Sequence, residues 1–466
     1  MISTNKEDLS LDLESLCNSF GFVDGRIEHV EIETQGKITN EFKLVMPDQK
    51  EYFYSWTYDL DSTLSDLRKK SLRKRMVKNQ LYKILSKHLN KTLPWGSLTG
   101  VRPTKLARDL IMYGEMKEYL VAEVLERDYF VSRDKAELVA NILKNQKCII
   151  RNDNLVDLYV NIPICPTRCI YCSFVSSELK DVASKVDLYL DALIKEINAV
   201  KDIIKDKAYI VRTIYIGGGT PTVLTASQLD RLLNELNFPV SEFTVECGRA
   251  DTITEEKLDI LKKHKVSRIS INPQTFCKAT LKRIGRKQEN SEVISAYSKA
   301  LERDFLVNMD FIAGLPGEKI GIFKRTMDTA LELYPNNITV HTLSLKRGSE
   351  LFDESDKVSD KDVAKMVDYA ESLLTQNGYK PYYIYRQKNQ LGGLENVGYY
   401  RDDSICIFNI DSMEETNTII GVGANAISKR VYNIENRIER QPNVKFIEEY
   451  MARIDELIER KRQFFK

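Results

Sequence analysis

The residues of this 466-residue chain best placed to do chemistry sit in one short stretch, Tyr159-Val-Asn-Ile-Pro-Ile-Cys165-Pro-Thr-Arg-Cys169-Ile-Tyr-Cys172. Three thiols spaced C-x3-C-x2-C can ligate three irons of a 4Fe-4S cube from a single loop. The cube has four irons, so one stays open. An open iron can chelate an amino-carboxylate pair and pass an electron to the molecule that carries it. Pro163 and Pro166 stiffen the loop, and Tyr171 sets a ring beside it against which a flat base could pack. The competing readings are three unrelated thiols, or a zinc site completed elsewhere. Zinc loops usually carry paired C-x2-C knuckles, and the sequence has no second pair.

Other polar positions add to this loop. Ile216-Gly217-Gly218-Gly219-Thr220-Pro221-Thr222 ends a strand-like run, and its glycines let backbone approach a ligand closely. The Gly-Lys-Ser/Thr sequel of a nucleotide phosphate loop is missing. Glu246, Gln274 and Asp310 each fall at or just beyond the end of a predicted strand, where polar groups are usually ligand contacts. Arg286 can neutralise an acid through a bidentate pair, or serve as a surface residue. Cys247 and Cys277 are expected as small apolar groups, and Cys17, Cys148 and Cys406 are scattered. The four histidines are far apart and offer no chelating pair.

The elements that must position these groups alternate. Strand runs at 158–162, 212–217, 243–247, 268–271, 307–311 and 337–343 are separated by helical patterns at about 182–204, 226–236, 254–264, 289–303, 318–333 and 360–376. That rhythm implies parallel strands joined by right-handed crossovers, with chemistry at the strands' C-terminal ends. Six units fit a partial (β/α)6 barrel, so the fold class is α/β, with the core at 151–378. Residues 1–150 read as an accessory region, α+β and then mostly helical, with strand-like runs at about 27–33, 40–46 and 50–57. Its Arg68–Lys78 segment carries seven basic residues in eleven; a solvated helix face outweighs a nucleic-acid contact there, since no aromatic or glycine-rich partner motif accompanies it. Residues 379–466 form a C-terminal extension, tyrosine-rich at first and ending in a charged helix.

Charge and hydropathy narrow the setting. A formal charge of +1 gives no global field for nucleic acid. The N-terminus lacks a basic start and an apolar h-region, and no apolar run reaches the ~18–20 residues of a membrane span. With clustered rather than paired cysteines, the expected location is cytoplasmic, away from membranes.

Taken in order, Y-V-N-I-P-I-C-P-T-R-C-I-Y-C-S-F, G-G-G-T-P-T, V-E-C, I-N-P-Q, I-G-R-K-Q and M-D-F-I-A-G-L-P-G-E resemble the radical S-adenosylmethionine (SAM) superfamily. Within it they resemble the oxygen-independent coproporphyrinogen III oxidase (coproporphyrinogen dehydrogenase) group. The flanking WGSLTGVRPTK and PYYIYRQKNQLGGLENVGYY segments are similar to its HemZ-like branch. The resemblance implies a 4Fe-4S cluster on Cys165, Cys169 and Cys172 that cleaves SAM to a 5′-deoxyadenosyl radical. It assigns Tyr159, Gly218, Glu246, Gln274 and Arg286 to SAM, with Tyr171 near the adenine. Asp310, Gly219, Thr220 and Ser344 fall where the family contacts SAM or a second SAM molecule. The implied reaction converts two propionates of coproporphyrinogen III to vinyl groups, giving protoporphyrinogen IX in anaerobic haem synthesis, with a flavodoxin- or ferredoxin-type electron donor. Two positions depart from the family pattern: Asn161 stands where it has histidine, and Phe174 where it has a fourth cysteine. The alternative is a haem-binding chaperone or a haem-modifying radical SAM protein.

Overall fold

The computed structural model describes every residue except 1, 62, 101, 115, 147–148, 175, 347–348, 350, 352–357, 388–389 and 436. Cys148 therefore lies outside the described residues. The chain divides into two compact units, Met1–Asn141 and Ile142–Lys466.

In the first unit, strands β1 (Ile2–Thr4), β2 (Arg26–Thr34), β3 (Lys37–Val45) and β4 (Glu51–Asp59) form one sheet in that order. Alternation decides its faces: Ile27, Phe42 and Leu44 are buried against Leu9, Leu13 and Leu16 of the helix Glu7–Phe20. Val77, Leu81 and Leu85 of the helix Asp66–Leu89 complete the core. The basic run lies on this second helix, and it is not a solvated face. Arg73 holds the buried Glu31 at 2.7 Å, Lys74 holds Asp12 at 2.9 Å, and Lys78 donates to Thr99 at 3.2 Å. Arg68 and Arg75 lie over the rings of Tyr113 and Tyr129. Charge pairing inside the unit uses these cations, a long-range outcome that counting basic residues along the chain does not disclose.

The second unit is built on an eleven-stranded sheet. Its strands are β5 (Leu155–Ile162), β8 (Ile210–Gly218), β9 (Glu242–Glu246), β10 (Arg268–Ser270), β11 (Leu306–Ala313), β12 (Asn337–Thr342), β13 (Lys380–Tyr385), β14 (Asn396–Tyr400), β15 (Thr418–Val422), β16 (Ile427–Tyr432) and β17 (Arg437–Pro442). The two-residue strands β6 (Ile164–Cys165) and β7 (Ser177–Glu178) pair separately. Strands β5, β8, β9, β10, β11 and β12 are neighbours in sequence order and all parallel. They are the six strands of the partial barrel. Their residues alternate: Val160, Ile214, Val245, Ile269, Val307 and Phe311, on the face away from the cavity, are all fully buried.

Residues 379–466 join the same sheet at both edges. Beyond β12, β14 and β13 add antiparallel. Beyond β5, β15 adds as a seventh parallel strand, followed by the β16–β17 hairpin. The helix Ile407–Glu414, from the same extension, is anchored at the N-terminal ends of the strands. Glu242 accepts from Ile407 N and Phe408 N at 3.0 and 3.2 Å, and Arg212 pairs with Asp411 at 2.8 Å. Among the described residues no helix is long and apolar enough to cross a membrane.

Candidate functional site

The C-terminal ends of the six strands surround a cavity of about 350 Å³, within the ~300–1,000 Å³ range of small-molecule sites. The three thiols enter from the loop after β5. Pairing of β6 with β7 clasps the loop at its base, and Cys172 N donates to Cys169 O at 2.9 Å to close its turn. Ile170 N reaches Ile284 O at 3.2 Å, and Gly285 at φ +77° leaves room for Arg168 O. Burial pushes the Cys165 thiol up and Cys172 to about 11, so insertion of a metal cluster must displace protons from both. Among the described residues no three His, Cys, Asp or Glu side chains converge as a single-ion site. Cys165, Cys169 and Cys172 all line the one cavity, where three thiols can ligate separate irons of a cube.

The glycine run after β8 works differently from the expected bare cradle. A Cβ on Gly217 would lie 2.7 Å from Glu246 Oε2, one on Gly218 would lie 1.9 Å from Asn161 Oδ1, and one on Gly219 would lie 2.5 Å from Ile164 O. The protein's own groups thus crowd these positions, and only Gly218, at φ +108°, needs a glycine backbone as well. Gly219 N and Thr220 N donate to Ile162 O and Ile164 O, both at 2.8 Å, fixing the run against the cysteine loop. Thr220 Oγ1 lies 3.9 Å from Cys165 Sγ.

Glu246, at the end of β9, accepts from Tyr215 OH at 2.6 Å and from Gly218 N at 3.2 Å. Burial, with the nearby Asp310 charge adding to it, raises its carboxyl to about 7 despite those donors. Asp310 behaves oppositely. Burial acts to raise it, but His341, Asn308 and Thr339 together hold it below the ordinary carboxylate range. His341 Nε2 is 3.6 Å from Asp310 Oδ2, and Asn308 Nδ2 donates at 2.8 Å. Arg286 is buried, and its guanidinium donates to Asn272 O and, at 3.3 Å, to Gly248 O. It therefore braces the loops after β9 and β10 as well as lining the cavity.

Of the residues singled out from sequence, Cys165, Cys169, Cys172, Tyr171, Gly218, Gly219, Thr220, Glu246, Gln274, Arg286, Asp310 and Ser344 all line this one cavity. Tyr159 is outside the lining; its hydroxyl donates to Asn161 Oδ1 at 3.1 Å, and its ring stacks on Phe408. Cys247 is fully buried and Cys277 half-buried, both free thiols. Sequence reasoning passed over Tyr215, Asn272, Asn308, His341 and Lys346 in the wall. Tyr215 and His341 lie in the C-terminal halves of their strands, and Asn308 lies two residues before Asp310 on β11. Tyr383, Tyr385, Asn409 and Met413 come from the extension, whose placement no local signal gives.

Three buried acceptors in this wall, Ser270 Oγ, Asn272 Oδ1 and Gln274 Oε1, have no hydrogen-bond partner among the described residues. Unpaired buried polar atoms are costly, so the cavity suits a ligand that brings donors. With a carboxylate at Glu246, a cation at Arg286 and thiols for three irons, the donor set fits an iron–sulfur cluster with an amino-acid-bearing nucleoside.

The Radical SAM superfamily model matches residues 159–330. The fold resembles the solved structure of Escherichia coli coproporphyrinogen III oxidase, HemN, a radical SAM enzyme (TM-score 0.53, 24% identity, 70% of this chain and 73% of that one). The chain is also 39% identical over 410 residues to the oxygen-independent coproporphyrinogen-III oxidase-like protein HemZ of Bacillus subtilis (strain 168), covering 84% of this chain and 82% of that protein. It therefore belongs to the radical SAM superfamily, in the oxygen-independent coproporphyrinogen-III oxidase-like family. Heme chaperone HemW of Lactococcus lactis matches over less of its length, at 32% identity over 52% of this chain and 66% of the chaperone. The cofactors are accordingly a 4Fe-4S cluster and SAM, and the function is tetrapyrrole-related.

Proposed function

We propose that the chain is a coproporphyrinogen dehydrogenase, converting coproporphyrinogen III to protoporphyrinogen IX without oxygen. The observation that carries this reading is the identity with the coproporphyrinogen-III oxidase-like relative across 84% of the chain. When bound, the cluster and SAM supply one-electron chemistry able to take a hydrogen atom from an unactivated carbon. The protein's task is to hold and orient. Cys165, Cys169 and Cys172 ligate the cluster, Glu246 and Gly218 form one wall of the SAM site, and Arg286, Gln274 and Asp310 form the other. Substrate carboxylates need a cation. Arg249 in the wall is paired with Asp251 at 2.7 Å, and His341 lies against Asp310. Lys346, half-buried in the same wall, has no carboxylate within ion-pair distance among the described residues, and it is the group we assign to a propionate. A small flavodoxin- or ferredoxin-type protein supplies the electron. The seven described cysteines are all free, which supports a reducing, cytoplasmic setting.

A second reading, haem binding or modification, is favoured by the similarity to the haem chaperone and by Asn161 and Phe174 at the two altered motif positions. Anaerobic reconstitution, reduction and addition of SAM, with and without coproporphyrinogen III, separates them. Substrate-dependent release of CO2 and 5′-deoxyadenosine, with protoporphyrinogen formed, is the expected result. Deoxyadenosine released at one slow rate regardless of substrate, together with stoichiometric haem binding, would refute the decarboxylase reading.

A further inference from the structure

Asn161 occupies a position at which a polar side chain at the end of β5 could face the cavity, yet it does not line it. The amide is buried, at 3% exposure, and both of its ends are engaged. Its Nδ2 donates to Ala424 O, and its Oδ1 accepts from Tyr159 OH at 3.1 Å. The same oxygen occupies the space a side chain at Gly218 would need. Gly218 is thereby held between two side chains, the Asn161 amide on one side and the Glu246 carboxylate that accepts its N–H on the other.

The far side of the amide rests on a turn of the C-terminal extension that is itself fixed from behind. Gly423, at φ +96°, packs so closely on Asn161 O that a Cβ there would come within 2.5 Å. Tyr189 OH donates to Asn161 O at 2.8 Å and accepts from Ala424 N at 3.1 Å. Gly423 N donates to Glu196 at 2.7 Å. Glu196 also accepts from Tyr450 at 2.6 Å and Asn443 at 2.9 Å, and it lies 3.3 Å from Lys461 of the last helix. Every group in this chain of contacts is buried, and none of Tyr189, Glu196 or Lys461 touches the cavity.

We infer that Asn161 is a positioning residue for SAM, setting the glycine loop from the C-terminal turn at Gly423–Ala424. Through it the extension acts on cofactor binding without contributing a ligand at that point. An amide suits this place because it donates to one carbonyl and accepts from one hydroxyl at once, which no apolar side chain of its size can do. The inference concerns SAM and holds whichever tetrapyrrole is the substrate.

The test is equilibrium binding of SAM to anaerobically reconstituted protein, with iron content, cluster absorbance and thermal midpoint measured on the same samples. Asn161→Leu is expected to raise the SAM Kd roughly tenfold, as loss of an outer-layer orienting group typically does, with iron and absorbance unchanged. Asn161→Asp keeps the acceptor for Tyr159 but sets an oxygen against Ala424 O, and is expected to recover none of that loss. Tyr189→Phe, remote from the cavity, removes the hydroxyl that ties Asn161 O to Ala424 N and is expected to raise Kd about threefold. It decides the matter if Asn161→Leu fails to accumulate. A lowered midpoint with wild-type Kd in both Asn161→Leu and Tyr189→Phe would show a purely structural role and overturn the inference.

Discussion

Glu246 is kept at a cost to stability, and replacing it by glutamine should show how large that cost is. Its carboxyl is half-buried in the cavity wall and is raised to about 7 in the fold against an ordinary 4.5. Below about pH 4.5 the group is protonated in folded and unfolded chains alike and has no effect on the balance. Between those two values the folded state binds the extra proton, so stability falls as pH rises, and the whole penalty is present above pH 7. About 2.5 pH units at 1.36 kcal/mol each amounts to roughly 3 kcal/mol. Glu246→Gln keeps an acceptor for Gly218 N–H, and its amide nitrogen can donate to the Tyr215 hydroxyl, without the charge. Taking the second unit, about 325 residues, at ~2.1 cal/mol/K per residue, 3 kcal/mol corresponds to roughly 4–5 °C in midpoint. The assay is thermal unfolding of the cluster-free protein at pH 4.5 and pH 8. The variant should equal wild type at the lower pH, unfold about 4–5 °C higher at pH 8, and bind SAM more weakly once reconstituted. Equal midpoints at pH 8, or a variant less stable than wild type there, would refute the account of Glu246 as an ionised group held without full compensation.

Other expectations can be checked with the same preparations. Lys461→Met strips the cation from a fully buried Glu196, a change that costs about 3–5 kcal/mol; Lys461→Met with Glu196→Gln should recover most of the lost midpoint, and equal midpoints for the single variant and wild type would refute the pairing. Gly218→Ala meets both a 1.9 Å contact with Asn161 Oδ1 and an unfavourable positive φ, so SAM binding should fall below detection while iron content holds; retained SAM affinity would refute the loop geometry. Lys346→Glu should weaken fluorescence-detected binding of coproporphyrin III about tenfold or more and leave its tetramethyl ester unaffected; an equal effect on both ligands would remove Lys346 from carboxylate recognition. Cys169→Ala should lose the brown cluster chromophore, and iron remaining at about four per chain would refute the ligand assignment.

Periodicity and spacing disclose the parts of this protein that are local. Alternating β-branched runs and amphipathic stretches define the six parallel strands, because the face each strand turns to its covering helices must be apolar and the crossover helix must be amphipathic. Cys165, Cys169, Cys172, Gly218, Glu246 and Asp310 are legible for a related reason: each follows or ends a recognisable strand, and parallel topology carries all such ends to one rim. Tertiary structure alone decides what residues far apart in the chain do together. The basic residues from Arg68 to Lys78 have the composition of a solvated face, but Glu31 and Asp12 arrive from other elements and pair with them. Tyr159 looks like a cavity residue until Asn161 takes its hydroxyl. Strand β15 sits beside β5, 256 or more residues away along the chain, and brings the Ala424 carbonyl that binds Asn161. Hydrogen bonds and ion pairs depend on distance in space, whereas sequence patterns report only distance along the chain. The barrel and its cluster loop can therefore be read from the sequence, and the bracing that sets the cofactor site cannot.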